Sequence, residues 1–481
     1  MPSMLILMSA SIMTLLFMRG DCSGHLRWTP VVVSAAAAIL LQVKFPEGVV
    51  LIGIAGLGSL FSPSRPLRTI IEAALAFCAT FAINWSVNGQ SFRDVPAWMT
   101  HYWDVAFGYS EAMAIEAAPN LLSYPMALFL AIALVRLTMR WTATGTRRAR
   151  LGIFLVVLCL LAFSFKQGFT RHDTHDRLYF GVAAALLATL LASAKRPRAV
   201  IALLAVSLVF ASGGWSRFNP IFAREAWKTN LQLLVDHDSQ QLSLQQAALA
   251  ARSEYSLPAA IVSSAKGHPV SVDPWEATLA WAYDFEWRPV PIFQAYGAYT
   301  AKLDQINADA IVSAPDDQIV IRGGPSSIDH RNQMWDTPRY LLALACNYVI
   351  GPSNQRWMTL HKSSQRCSAP TAILTIEVEA GHQITLPKVL PGQILIGRFT
   401  PDASSLPRMI GNALAKDFSP LLVHADGVEY RLPRGRADGP LLLHVPGSLG
   451  WPQQHGGVLH YQVLAFSQPG TLKLETVNVE R

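Results

Sequence analysis

Charge is scarce in this sequence. Of its 481 residues only 15% are Asp, Glu, Lys or Arg, whereas a water-soluble globular domain carries about 25%. That shortage excludes a chain that is soluble throughout. A hydrophobic content of 51% and a mean hydropathy of +0.28 point the same way. Also missing are the motifs of common soluble enzymes. There is no Gly-x-Gly-x-x-Gly after a strand, no Walker A phosphate loop, no His-Glu-x-x-His and no Gly-x-Ser-x-Gly, so dinucleotide, P-loop, zincin and hydrolase-elbow chemistry have no anchor. No internal repeat or low-complexity tract is visible.

The net charge of +7 is not a nucleic-acid signal, because of where the basic residues sit. Arg65/Arg68, Arg136/Arg140, Arg147/Arg148/Arg150 and Lys195/Arg196/Arg198 form short clusters between apolar runs, which is the positive-inside pattern of a polytopic membrane protein. Five cysteines are present. Cys22, Cys78 and Cys159 lie in or beside apolar segments and read as small packing residues. Cys346 and Cys367 fall in the polar half. An oxidising compartment would let them pair, closing a loop worth about 3 kcal/mol; otherwise they are two unrelated thiols.

Eight apolar segments follow one another in the first 211 residues: 5–17, 31–43, 49–61, 69–85, 121–137, 151–164, 178–193 and 200–211. The first has no basic residue before it and Arg19 after it, the reverse of a cleavable signal. It is expected to be a membrane helix with its N-terminus outside, or the chain begins part-way through a longer membrane domain. The runs 31–43 and 49–61 are short of the roughly 17–25 residues of a full span. Joined by Lys44-Phe-Pro-Glu-Gly48, they are two short tilted helices or one re-entrant hairpin. Charge alternation puts the basic loops 62–68, 138–150 and 195–198 in the cytoplasm. The acidic loop 86–119, the polar stretch 165–177 and everything after 213 then share the opposite side.

Phe165-Lys-Gln-Gly-Phe-Thr-Arg-His-Asp-Thr-His-Asp-Arg177 is a dense polar cluster between two of those apolar runs. Charges at a membrane edge are expensive and usually face a cavity or pathway. Lys166, Arg171, His172 and Arg177 are candidates for holding a phosphate. His172 with Asp173, His175 and Asp176 is an imidazole and carboxylate set that suits a divalent cation such as Mg or Mn, if a helical turn puts them on one face. In the loop 86–119, Asp94, Asp104 and Glu111 are candidate general bases. Glu111 stands in Gly108-Tyr-Ser-Glu-Ala-Met113, where small neighbours permit close packing around a carboxylate. The aromatics Trp98, Tyr102, Trp103, Phe107 and Tyr109 suit an interfacial belt or a re-entrant helix.

From residue 215 the character is that of a water-soluble region. A helix is expected over 227–255, followed by strands at 260–263 and 270–272, a helix at 275–285, and strands at 290–292, 310–313 and 318–322. That alternation implies a small α/β domain over 215–369. After Pro370 only strands are expected, at 373–378, 393–399, 421–423, 441–444, 458–465 and 472–477, with Pro- and Gly-rich turns between them. They read as a β-sandwich over 370–481. Trp287–Thr300 combines aromatics with Gln294 and leads to Asp304 and Asn307; Gln294, Tyr296 and Tyr299 suit a sugar-binding face. Asp329-His-Arg331 is a further charged loop.

The stretch 165–175, the segment 108–113 and the segment 288–307 with Asp329–Arg331 resemble a group of bacterial polytopic membrane proteins. These are similar in layout to C-type glycosyltransferases, which use polyprenyl-phosphate sugars. The resemblance covers about 80–350. It implies an inner-membrane helical bundle of about eight segments (1–214) with an extracytoplasmic half, taking a sugar from a polyprenyl-phosphate donor to a glycan, lipid or protein acceptor. Glu111 or Asp104 would then be the base, and Lys166, Arg171, His172 and Arg177 would hold the donor phosphate. C-type enzymes commonly keep an acidic residue in the first long external loop; here the first loop offers only Asp21, and loop 86–119 would serve. The competing expectation is a non-enzymatic, glycan-binding subunit of an export or envelope-assembly system. A transporter, with its charges at mid-membrane, fits less well.

Overall fold

The computed structural model describes residues 2–20, 27–62, 65–116, 122–143, 145–191, 197–212, 235–324, 328–403, 406–414, 416, 419–446 and 460–480. The chain divides into two compact units. One comprises Met1–Ala106, Met113–Asn219 and Ile410–Lys416, the other Phe107–Ala112, Pro220–Met409 and Asp417–Arg481. Asp21, Cys22, Lys195, Arg196 and the segment 213–234 lie outside the described residues.

In the first unit every expected apolar run is a helix: α1 (Pro2–Arg19), α2 (Thr29–Val43), α3 (Phe45–Leu60), α4 (Pro66–Val87), α6 (Ser123–Trp141), α7 (Arg147–Thr170), α8 (Arg177–Leu191) and α9 (Pro197–Ser212), with α5 (Val95–Ala112) between α4 and α6. Among the described residues three of these, α4, α6 and α7, are long and apolar enough to cross a membrane. The apolar faces of α1, α2, α3, α6, α7 and α8 meet in one core that includes Leu7, Val33, Leu51, Leu130, Val156 and Leu187.

At Lys44–Gly48 the chain breaks between two helices, as either arrangement of the short runs requires. Lys44 leaves helical geometry (φ −150°), and Phe45–Pro46 starts α3 at once. Gly48 lets the two helices touch, for a Cβ there would lie 2.2 Å from the Leu41 Cα.

The loop 86–119 is for the most part helix α5, not coil. Ser91 caps a preceding 3-10 turn through the Arg93 amide. Trp98, Tyr102 and Trp103 then close around Phe45 at centroid distances of 5.9, 5.4 and 5.1 Å. The aromatics expected at a membrane belt are in good part a packed cluster on α3.

The second unit is mostly β. A five-stranded mixed sheet runs in the order β4-β3-β5-β7-β6: β3 (Pro269–Asp273), β4 (Glu286–Trp287), β5 (Ile319–Gly323), β6 (Tyr348–Ser353) and β7 (Trp357–Lys362). Residues 260–263, expected as a strand, lie in the helix Ala259–Ala265 after Pro258. Of residues 310–313, also expected as a strand, the first three end the helix Ala301–Val312 and Ser313 caps it. The expected helix at 275–285 shrinks to Thr278–Ala282.

Two antiparallel four-stranded sheets follow, β13-β10-β15-β8 and β12-β11-β14-β9. They comprise β8 (Thr371–Val378), β9 (Gln383–Thr385), β10 (Gln393–Pro401), β11 (Leu422–Ala425), β12 (Val428–Arg431), β13 (Leu441–His444), β14 (Val463–Phe466) and β15 (Gly470–Asn478). Leu395, Leu441, Leu443, Leu472 and Leu474 from the first sheet meet Ile384, Val423, Leu464 and Phe466 from the second in a single core. Phe399 stacks on Phe466 at 3.9 Å.

The alternate residues Ile394, Ile396, Leu442 and Val477 point the other way, into a core with Val320, Leu344 and Met358 of the α/β layer. Strands β10 and β13 of the first sheet are therefore buried on both faces, whereas β8 is largely exposed. Cys346, at the end of the helix Pro338–Asn347, is joined by a disulfide to Cys367.

Candidate functional site

The polar stretch at the end of α7 folds as strand and turn instead of the helical turn expected from its spacing. Arg171 is extended (φ −107°, ψ 91°), ending α7. β2 (Arg171–His172) pairs in parallel with β1 (Ile115–Glu116). That bridge ties the chain that follows α5 to the chain that follows α7.

His172 is 2% exposed. Its Nε2 lies 2.6 Å from Ser123 Oγ and 3.9 Å from Asp176 Oδ2. Its ring packs between Tyr124 and Phe169. The turn brings His172 and Asp176 together, as a helix would have, by another route. Asp173 organises the turn: its Oδ1 accepts from the amides of Thr174 and His175 and sits 2.6 Å from His175 Nδ1, while its Oδ2 lies 3.4 Å from Arg171. Burial pushes the Asp173 carboxyl up, but the hydrogen bonds from His175 and Thr174 outweigh it and hold the group at about 2. Burial raises Asp176, opposed by His172 and Arg177.

Among the described residues no group of three or more His, Cys, Asp or Glu is arranged to hold a metal. Asp173 and His175 face each other in a turn rather than joining Asp176 around a shared point.

Lys166, in the last turns of α7, donates through Nζ to the Asn412 carbonyl at 3.0 Å. Asp104 lies on α5 with His101 Nδ1 3.9 Å away. Lys166, Arg171, His172, Arg177 and Asp104 all belong to the helical unit.

Glu111 belongs to the other unit. Gly108 permits the approach of its helix, for a Cβ there would meet Tyr299 Cβ at 2.6 Å. Tyr109 packs edge-on against Tyr299 at 5.8 Å. The Glu111 carboxylate accepts from the Gly435 amide. Arg431 donates to the carbonyls of Glu111 (3.2 Å) and Ala112 (2.7 Å), capping the last turn of α5 with a cation where the helix dipole favours one. Asp329, one of two successive residues with positive φ (50° there, 59° at His330), lies 3.9 Å from the Arg431 guanidinium. Two separate sequence candidates, the segment around Glu111 and the segment around Tyr299, are thus brought together.

The proposed sugar face is narrower than its sequence suggests. Tyr299 is 8% exposed, a core residue whose phenol burial pushes up to about 12. Gln294 is exposed and accepts from the half-buried Tyr296 hydroxyl at 3.1 Å. Asn307 spends its amide on both backbone groups of Ile292. Asp304 receives the Arg339 and Tyr340 amides at the start of the helix Pro338–Asn347. These two polar residues hold the fold.

Sequence reading passed over a buried ionic network in the same unit. Asp336 Oδ1 lies 3.3 Å from Arg331 and 3.1 Å from Arg436, and Arg322 pairs with Asp273. Beside it a cavity lined by Trp275, Arg322, Gln333 and Asp336 has a volume of about 10 Å³. That is room for one water, not for a sugar ring. Reading also passed over Glu47, fully buried in the helical unit and ion-paired with Lys44. A single carboxylate in an otherwise apolar run is the signal that marks it.

No protein-family model, curated protein or solved structure matches this chain.

Proposed function

We propose that this chain is an integral membrane glycosyltransferase that moves a sugar from a polyprenyl-phosphate donor to an extracytoplasmic glycan, lipid or protein. The observation that carries the reading is the placement of Lys166, Arg171, His172 and Arg177. They lie in and just after the end of α7, a helix of 24 residues that is apolar enough to cross a membrane. Cations at a membrane edge suit a phosphate whose lipid tail stays in the bilayer. They would stabilise the phosphate as negative charge develops on it during departure. Glu111 is the proposed base, because a carboxylate that deprotonates an acceptor hydroxyl has to be held in position, and the Gly435 amide holds this one. Asp104 is the other candidate.

In this reading the helical unit is a bundle of about eight membrane segments in a bacterial inner membrane. The β-rich half is periplasmic, a placement supported by the Cys346–Cys367 disulfide, since such bonds persist in oxidising compartments. A divalent cation would be held, if at all, by Asp173, His175 or Asp176. A second reading, a glycan-binding subunit without catalysis, is favoured by the exposed Gln294 and its bond to Tyr296.

The test is transfer in membranes supplied with radiolabelled polyprenyl-phosphate sugars, comparing wild type with Glu111→Gln and Arg171→Ala. Transfer by wild type and loss in both variants at normal protein levels supports the enzyme. No transfer from any donor, with retained glycan binding by the full chain, favours the binding subunit.

A further inference from the structure

Between β10 and β11 the chain leaves the sheets and forms a short helix, Leu406–Leu414. Leu406, Met409 and Ile410 are spaced i, i+3 and i+4, so they share one helix face. They are 67%, 58% and 51% exposed. Three large apolar side chains on one face of a nine-residue helix would be costly in water, at about 25 cal/mol for each Å² of apolar surface left wet.

The helix runs across the two units, with Leu406–Met409 in the β-rich one and Ile410–Leu414 in the helical one, and Ile410–Lys416 is held by two hydrogen bonds within the helical unit. The Asn412 carbonyl accepts from Lys166, one turn before the end of the candidate span α7. Buried Lys416 donates to the carbonyl of Ile115, in the strand that pairs with Arg171–His172 directly after that span. Both fastenings are therefore at the end of an apolar helix, where hydrocarbon gives way to headgroups.

We infer that Leu406–Leu414 is an interfacial helix lying on a phospholipid bilayer, with Leu406, Met409 and Ile410 among the upper acyl carbons. Amphipathic helices with this arrangement rest at the headgroup boundary, driven by apolar burial. The inference goes beyond the proposed reaction and does not depend on it, because a transferase and a binding subunit would both carry it.

The experiment uses the full, unsubstituted chain in nanodiscs containing phosphatidylcholine with a photoactivatable diazirine on the acyl chain. After illumination, peptide mapping reads which segments carry lipid adducts. The expected result is labelling of the α4 and α7 peptides and of the peptide 406–414. Labelling of the spans with an unlabelled 406–414 would overturn the inference. Crosslinks from 406–414 to a second copy of the chain in place of lipid would overturn it as well. A Met409→Glu, Ile410→Glu variant should lower the lipid adducts on 406–414 at least fivefold while leaving those on α7 unchanged; equal labelling of that peptide in variant and wild type would also count against it.

Discussion

Glu111 Oε1 accepts a hydrogen bond from the backbone amide of Gly435 at 2.9 Å, across 324 residues of sequence. A backbone donor holds the carboxylate in one place without neutralising it, and a glutamine at 111 keeps the accepting oxygen. Glu111→Gln is therefore expected to fold normally. Transfer should fall by a factor of about 100 to 10,000, the range a general base contributes. Parallel expression, melting and transfer measurements check this, and an unchanged rate would remove Glu111 as the base.

Buried His172 and Ser123 form a pair at 2.6 Å. Ser123→Ala leaves one imidazole nitrogen without that partner. It should destabilise the protein by about 0.5–1.5 kcal/mol, the net worth of a typical hydrogen bond. His172→Phe, which keeps the stacking on Phe169 and Tyr124, should make a subsequent Ser123→Ala far milder. A double-mutant cycle on melting in detergent reads the coupling, and additivity of the two changes would deny it.

Burial raises the Asp304 carboxyl to about 6, against the pull of the Arg339 and Tyr340 amides and the nearby Arg436. The unfolded group titrates near 3.8, so the folded protein binds this proton more tightly. The stability it supplies is complete below about pH 4 and is lost as pH rises through 6, a change on the order of 3 kcal/mol. Amide exchange in the helix Pro338–Asn347, corrected for intrinsic rates, should show greater protection at pH 4.5 than at pH 7. In Asp304→Asn this part of the pH dependence should vanish.

The disulfide Cys346–Cys367 closes a separation of 21 residues. Its removal by Cys346→Ser with Cys367→Ser should cost about 3 kcal/mol, from the conformational freedom returned to the unfolded chain. A lower melting temperature in the double variant, matched by wild type under reductant, is the expected outcome.

The helices of the first unit were legible because long apolar runs leave few alternatives. α5 was less so, because its aromatics suit an interfacial belt as well as a helix. The better signal was the i, i+4 pair Trp98 and Tyr102, whose rings are 5.1 Å apart and stack around Phe45. In the β region the strands at 393, 441 and 472 were clear from their apolar content. The hairpin β11–β12 was only half read, although Asp426-Gly427, both with positive φ, is a strong turn signal.

The stretch 165–177 stands out by composition, but its conformation was not legible, since pairing with Ile115–Glu116 is a long-range event. Tyr299, Asp304 and Asn307 looked like a ligand surface because a sequence does not distinguish an aromatic or amide facing a sugar from one facing its own backbone.

The sheet β13-β10-β15-β8 has hydrophobic residues on both faces, Leu395 and Leu472 toward one core and Ile394 and Leu442 toward the other. The α/β layer and the paired sheets are therefore not interchangeable parts. A chimera exchanged at residue 370 would set a foreign surface against Val320, Leu344 and Met358. A truncation there would bare those side chains to water, an invitation to aggregate. Any graft, deletion or ancestral shuffling of this half has to carry 235–480 as a single inheritance.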